Sequence, residues 1–263
     1  TFTPEDGFVG SDSFTTTIND GNGGAATSTV SVNVESGGQI EVPDASLLLQ
    51  GEALDAQFAE GEAVSLWSDQ ALANDAGQSE GARQPTFVAA DGGGLRFDGV
   101  DDVLELDNSE SLNVGGPYAE KTLALSFRPG DDVESRQVIY EQGGAWQGIN
   151  IYVEEGQVHA SAWNKSGTPW GPLTLSGAIT PGEVHTVVLS LDADAGTLSA
   201  HLDGESLGTL SGAGLLADHA NASAFGAVAG DTQFADGEFT GSGNTFHFGG
   251  DILDAGFFNT ALG

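Results

Sequence analysis

Short alternating apolar runs, each closed by Gly, Asp, Pro or Asn, recur along this chain and steer it towards antiparallel β-structure. They lie at residues 29–34 (Thr-Val-Ser-Val-Asn-Val), 123–127 (Leu-Ala-Leu-Ser-Phe), 149–153 (Ile-Asn-Ile-Tyr-Val), 184–191 and 198–202. A period of two puts every second side chain on one face, as a half-buried strand requires. The 40 glycines, and the scarcity of consecutive helix formers, argue against helices. Only residues 45–60 permit a short helix, and Gly51 interrupts it. A chain of 263 residues can bury a real core. The expected fold is all-β: a two-sheet antiparallel sandwich with an N-terminal β fragment.

The formal charge is −33, from 39 acidic residues against 6 basic ones. Such a field repels phosphate backbones and anionic lipid surfaces, which excludes nucleic acid as a partner and disfavours a membrane surface. Self-repulsion on this scale calls for bound divalent cations or high external salt, and both point outside the cell. An acidic, salt-adapted surface with no specific metal is the plainer alternative. Cysteine is absent, so there are neither disulfides nor thiolate metal sites. No apolar run reaches the ~18 residues needed to span a bilayer, so direct membrane insertion is not expected. The chain opens on Thr-Phe-Thr-Pro with no signal peptide and reads as a piece of something longer, a monomeric module within it.

Residues 1–35 differ from the rest. A Phe/Gly/Asp-rich opening and a 20–24 run of Asp-Gly-Asn-Gly-Gly precede the Val30/Val32/Val34 alternation. The Asp-Gly-Asn-Gly stretch tolerates positive φ, as a tight hairpin demands. This pattern resembles the C-terminal part of a cadherin-like, bacterial Ig-like tandem repeat. Thirty-five residues bury too little surface for a sandwich of their own, so they pack on a neighbour or end a truncated repeat. Residues 36–39 read as a linker, and residues 40–263 as the main domain.

Residues 94–107 (Gly-Leu-Arg-Phe-Asp-Gly-Val-Asp-Asp-Val-Leu-Glu-Leu-Asp) run a strand through a turn crowded with Asp98, Asp101 and Asp102. Clustered carboxylates repel unless water, a cation or backbone N–H groups stabilise them, and an oxygen-rich loop suits Ca²⁺. A second acidic stretch, residues 230–238, brings Asp231, Asp236 and Glu238 close enough in sequence to ring a cation. The order of three phrases resembles the laminin-G-like/concanavalin A-like lectin domains of large bacterial RTX-type adhesins. These are Trp67-x-Asp69, the Phe97-to-Leu104 phrase, and Phe248-x-Gly250-x-Ile252-x-Asp254. The resemblance implies a jelly-roll sandwich, Ca²⁺ as cofactor, and a place on the bacterial cell surface, in adhesion or biofilm formation. Where related domains carry a late Ile-Asp-Glu, this chain has Ile-Leu-Asp, and Asp251 could replace the missing acid.

Two further constellations bear on function. Glu105, Asp107 and Glu110 match the Glu-x-Asp-x-x-Glu spacing of retaining β-glucanases, but Asn108-Ser109 should end the strand that would aim them into one cleft. Three of the four tryptophans, Trp146, Trp163 and Trp170, fall in a short span beside Gln147 and Asn164. An aromatic face can stack on a sugar ring while Gln and Asn read hydroxyls. Trp163 continues an alternating run and reads as core, which leaves Trp146, Gln147, Trp170 and Asn164 as the carbohydrate candidates. The metal candidates are Asp98, Asp101, Asp102, Asp231, Asp236 and Asp251. The sequence thus suggests a non-enzymatic, Ca²⁺-dependent glycan-binding module, the ion chelating sugar hydroxyls or ordering the loop that does. The alternatives are a Ca²⁺-rigidified spacer and a glycan-cleaving enzyme.

Overall fold

The structure is a computed structural model that describes residues 10–19, 25–34, 45–240 and 245–262. It divides into two units, Thr1–Pro43 and Asp44–Gly263. In the first, strands Gly10–Asn19 and Ala25–Val34 pair antiparallel, from Gly10 opposite Val34 to Asn19 opposite Ala25. The expected hairpin turn at 20–24, the opening phrase at 2–8 and the linker at 36–39 lie outside the described residues.

The second unit is a two-sheet antiparallel sandwich of the jelly-roll kind. One sheet runs in the order Trp170–Ala178, Gln157–Asn164, Gln147–Glu154, Gln137–Gly143, Ser223–Phe225, Leu104–Leu106, Ala76–Gly77 and Leu66–Trp67. The other runs Glu205–Ser211, Thr197–Leu202, His185–Asp192, Glu120–Pro129, Gly249–Phe258, Gly94–Asp98 and Thr86–Val88, with Leu47–Gln50 also pairing on Gly249–Phe258. Residues far apart in sequence therefore lie side by side, as Greek-key connections require. The helix permitted over residues 45–60 does not form. Its first part is the strand Leu47–Gln50, followed by a 3₁₀ turn at Gly51–Leu54. Pairing with Gly249–Phe258 buries Leu47 and Leu49 completely and overrides local helix propensity.

Alternation sets the core. Leu123, Leu125 and Phe127 on Glu120–Pro129 face inward beside Leu189, Val187 and His185 of the next strand. Tyr140 reaches between the sheets, its ring 4.9 Å from Phe225 and 4.7 Å from Phe257. Each fully buried large apolar side chain contributes about 1.5–3 kcal/mol. The sheet that carries Gln137–Gly143 is also covered on its outer face. Residues 226–238 cross it, and Val228, Phe234 and Phe246 form a small separate core there with Val138 and Tyr152. Among the described residues, no helix is long and apolar enough to cross a membrane.

Candidate functional site

Two loop regions at opposite ends of one central strand carry most of the sequence-predicted residues. At the Gln137 end lies the turn of residues 98–102. Asp98 Oδ1 accepts from the N–H groups of Val100 at 2.8 Å and Asp101 at 3.2 Å, while Asp102 Oδ2 accepts from Asp98 N–H at 2.9 Å. Gly99 has φ +76° and lies so near Gly249 that a Cβ would stand 3.3 Å from its Cα, so glycine serves both the turn and the contact. One carboxylate oxygen from each of Asp98, Asp101 and Asp102 lies within 4.8 Å of the other two. Asp102 is buried, and burial, followed by the nearby Asp98 and Asp101 charges, pushes its carboxyl up to about 6. The three acids thus sit together in an arrangement that a hard divalent cation would relieve.

The other metal candidates are held differently. Asp251 is almost fully buried between two guanidinium groups, with Arg96 Nε at 2.8 Å and Arg128 NH1 at 2.9 Å. Asp236 and Glu238 do ring a cation, but it is the guanidinium of Arg136, at 2.7 and 2.8 Å, and Glu154 holds the same group at 2.9 Å. Arg136 also lies 4.1 Å from the Phe234 ring centre. These acids already have counter-charges, so Asp236 and Asp251 are corrected from metal ligands to ion-pair partners. Asp231 lies apart from this ring and is half-buried near Glu141, close enough to act on its charge.

At the Gly143 end, the hairpin between strands Gln137–Gly143 and Gln147–Glu154 presents Trp146, 67 % exposed. Its backbone carbonyl accepts from Lys165 N–H, which fastens the hairpin to the loop at 164–168. Gln147 ties two loops together, with Nε2 donating to Asp218 O at 3.0 Å and Oε1 accepting from Ser166 Oγ at 3.1 Å. Between the 164–168 and 214–218 loops lies a cleft of about 670 Å³, whose lining includes Ser166, Thr168, Asp194, Leu215 and Asp218. Leu215 is itself 51 % exposed. The 214–218 bank was not among the predicted residues, because nothing in the sequence marks a loop that only the fold brings to Gln147, next to Trp146.

Two carbohydrate candidates are corrected. Trp170 is only 8 % exposed, and its Nε1 donates to Leu215 O at 3.0 Å, so the ring supports the cleft from below. Asn164 is 3 % exposed, and its Nδ2 donates to Ser166 O at 2.7 Å, shaping the loop from inside. Trp163 is fully buried, as the alternation predicts. Joint recognition of one sugar by Trp146 and the Asp98 turn also fails on distance. Asp98 pairs with Gly249, whose N–H is bound by Gln137 Oε1, while Trp146 follows Gly143. The six residue steps from Gln137 to Gly143 put about 20 Å between the two ends. Glu105 and Asp107 line a shallow groove with Asn74, Asp75 and Gln78, and Glu110, in the helical turn Glu110–Val114, is not part of it. The geometry therefore does not assemble the glucanase-like pair.

Residues 1–33 match the bacterial Ig domain family. No curated protein matches the chain in sequence. Among solved structures, the chain is similar to the botulinum neurotoxin serotype G binding domain at TM-score 0.57 and 10% identity, over 83% of this chain and 48% of that one. The binding domain of Paraclostridial Mosquitocidal Protein 1 is similar at TM-score 0.57 and 12% identity, over 82% and 50%. The binding domain of botulinum neurotoxin DC, solved in complex with SialylT, is similar at TM-score 0.56 and 10% identity, over 84% and 48%. The chain spans about half the length of these binding domains. At such identities the likeness establishes a shared β-sandwich fold.

Proposed function

We propose that residues 44–263 form a non-enzymatic glycan-binding module of a bacterial cell-surface adhesin, with the sugar stacked on Trp146 beside the 164–168/214–218 cleft. The observation that carries this reading is the exposure of Trp146, 67 % against 0 to 8 % for Trp67, Trp163 and Trp170. A large ring held out in water at a rigid hairpin tip loses hydrophobic free energy that a ligand recovers. The Asn164-braced loop and Leu215 supply polar and apolar contacts beside it, the mixture a sugar face needs. The bacterial Ig match at residues 1–33 and the toxin binding-domain fold support a surface-exposed binding role. Ca²⁺ enters this reading as a stabiliser at Asp98, Asp101 and Asp102, about 20 Å from the ring, rather than as a bridge to the sugar.

A Ca²⁺-rigidified spacer is the second reading, favoured by the burial of Trp170 and by the internal bonding of both amide ends of Gln147. A glycan array probed with the full chain, in calcium and in chelator, separates the two. The lectin reading expects a restricted set of bound glycans, retained in chelator at temperatures where the chain stays folded. No binding to any glycan under either condition would leave the spacer.

A further inference from the structure

The outer face of the sheet that carries Gln137–Gly143 is closed off where residues 226–233 cross it, and two polar side chains are shut inside. Glu141 and Asn150 stand directly opposite each other on Gln137–Gly143 and Gln147–Glu154, and both are 0 % exposed. Glu141 Oε1 accepts two backbone N–H groups, Ala229 at 3.1 Å and Gly230 at 2.9 Å. The backbone comes this close because residue 230 is glycine, whose Cβ would stand 3.3 Å from Gly143 O. Asn150 Nδ2 donates to Thr232 Oγ1 and to Gln233 O, each at 2.9 Å, so its orientation is fixed and Oδ1 is the acceptor end.

That leaves Glu141 Oε2 and Asn150 Oδ1 buried without a hydrogen-bond partner. Gln233 Oε1, on the crossing segment, is a third such oxygen. A buried acceptor without a donor costs about 1–3 kcal/mol, and more if charged. Cross-strand neighbours have their Cβ atoms about 5 Å apart, so the Glu141 and Asn150 oxygens can meet at one point. With Glu141 ionised both are acceptors, so only a proton on Oε2 or a cation between them can join the two. Asp231 adds a further negative charge near Glu141. An all-oxygen set of carboxylate and amide carbonyl is ligand chemistry for a hard divalent cation, not for a soft metal or an anion.

We propose that Glu141 and Asn150 ligate a buried Ca²⁺-class cation that clamps residues 229–233 onto the outer face of the sheet. This site is distinct from the Asp98 turn and does not depend on glycan binding. A bound cation would supply the counter-charge that burial denies the Glu141 carboxylate. The sequence hides the site, because Glu141 occupies an outward position that reads as solvated unless the crossing segment is known.

The test is calorimetric titration of the full chain with Ca²⁺ in an Asp102→Ala background, with and without Glu141→Gln. Glutamine keeps the acceptor for Ala229 and Gly230, and its Nε2 can donate to Asn150 Oδ1, so the variant should fold. The expected result is that Asp102→Ala still binds Ca²⁺ and that adding Glu141→Gln removes one ion per chain. Calcium should raise the melting point of Asp102→Ala by more than that of the double variant. Absence of Ca²⁺ binding by Asp102→Ala, or an unchanged stoichiometry on adding Glu141→Gln, overturns the proposal. If the double variant does not fold, gadolinium soaked into crystals of the unaltered chain gives the same decision. An anomalous peak between Glu141 and Asn150 is expected, and its absence there overturns the proposal.

Discussion

Trp146 and Trp170 stand in similar sequence, among Gly, Gln and Pro, yet one ring is in water and the other is beneath the cleft. Composition alone could not separate them, because the difference arises from Leu215, 45 positions after Trp170, whose carbonyl binds the Trp170 indole. Trp146→Ala is expected to leave the melting point nearly unchanged, whereas Trp163→Ala and Trp170→Ala should each cost about 3–5 kcal/mol, as truncation of a buried ring does. Thermal or urea unfolding of the three variants checks this ordering. Lys121 offers a second residue-level test. It is almost fully buried, its Nζ donating to Asn259 Oδ1 at 3.1 Å and lying 4.2 Å from the Tyr118 ring centre. Burial lowers its pKa to about 7, against 10.5 in an unfolded chain. Between those values the unfolded state binds the extra proton, so this group makes stability rise with pH above about 7. Urea unfolding between neutral pH and the onset of tyrosine ionisation should show that rise, and Lys121→Met should flatten it.

At the scale of elements, the strands were legible wherever alternation was unbroken. Residues 123–127, 149–153 and 198–202 all lie within observed strands, because a one-residue slip would turn their Leu, Ile and Phe side chains into water. Residues 45–60 permit a helix in sequence but hold a strand in the fold, because a buried strand and a short helix share the same apolar run, and only the distant Gly249–Phe258 partner decides between them. The three sequence phrases turn out to hold the fold. Trp67 and Phe248 are fully buried, Asp69 accepts four backbone N–H groups, from Leu48, Ala71, Leu72 and Asn74, and Asp254 accepts from Gly51 N–H. The acidic segment at 230–238 was legible as a cation-ringing loop but not as an arginine clamp, since Arg136 lies a hundred residues earlier. Arg136→Ala should release Asp236, Glu238 and the Phe234 contact together. Because the Asp236 and Glu238 carboxylates are half-exposed, the loss should be local, about 1–2 kcal/mol, raising amide exchange at Phe234 and Glu238 roughly tenfold or more. Hydrogen exchange followed by mass spectrometry would show it.

For the whole molecule, the −33 charge makes the folded state sensitive to cations. All four arginines are in ion pairs, Arg83 with Glu80, Arg96 and Arg128 with Asp251, and Arg136 with Glu154, Asp236 and Glu238, and they leave most of the acidic surface unbalanced. A cation bound only by the folded chain stabilises it by about 2.7 kcal/mol at a hundredfold excess over Kd. For a domain of this size that is a melting shift of roughly 5–10 °C. Melting in millimolar calcium should therefore exceed melting in chelator at matched ionic strength. Equal values would mean that salt alone screens the charge.

Trp146 is proposed as the sugar platform. A single stacked ring contributes only about 1–2 kcal/mol, so affinity per module is expected near millimolar and adhesion depends on many copies acting together. The direct measurement compares wild type with Trp146→Ala on a column of the glycan bound best in the array, both proteins shown to be folded by their calcium-dependent melting. Clear retardation of the wild type is expected, with elution of Trp146→Ala at the void position and its melting point intact. Equal retardation of the two would rule out Trp146 as the platform, because it would place any sugar site away from the hairpin tip.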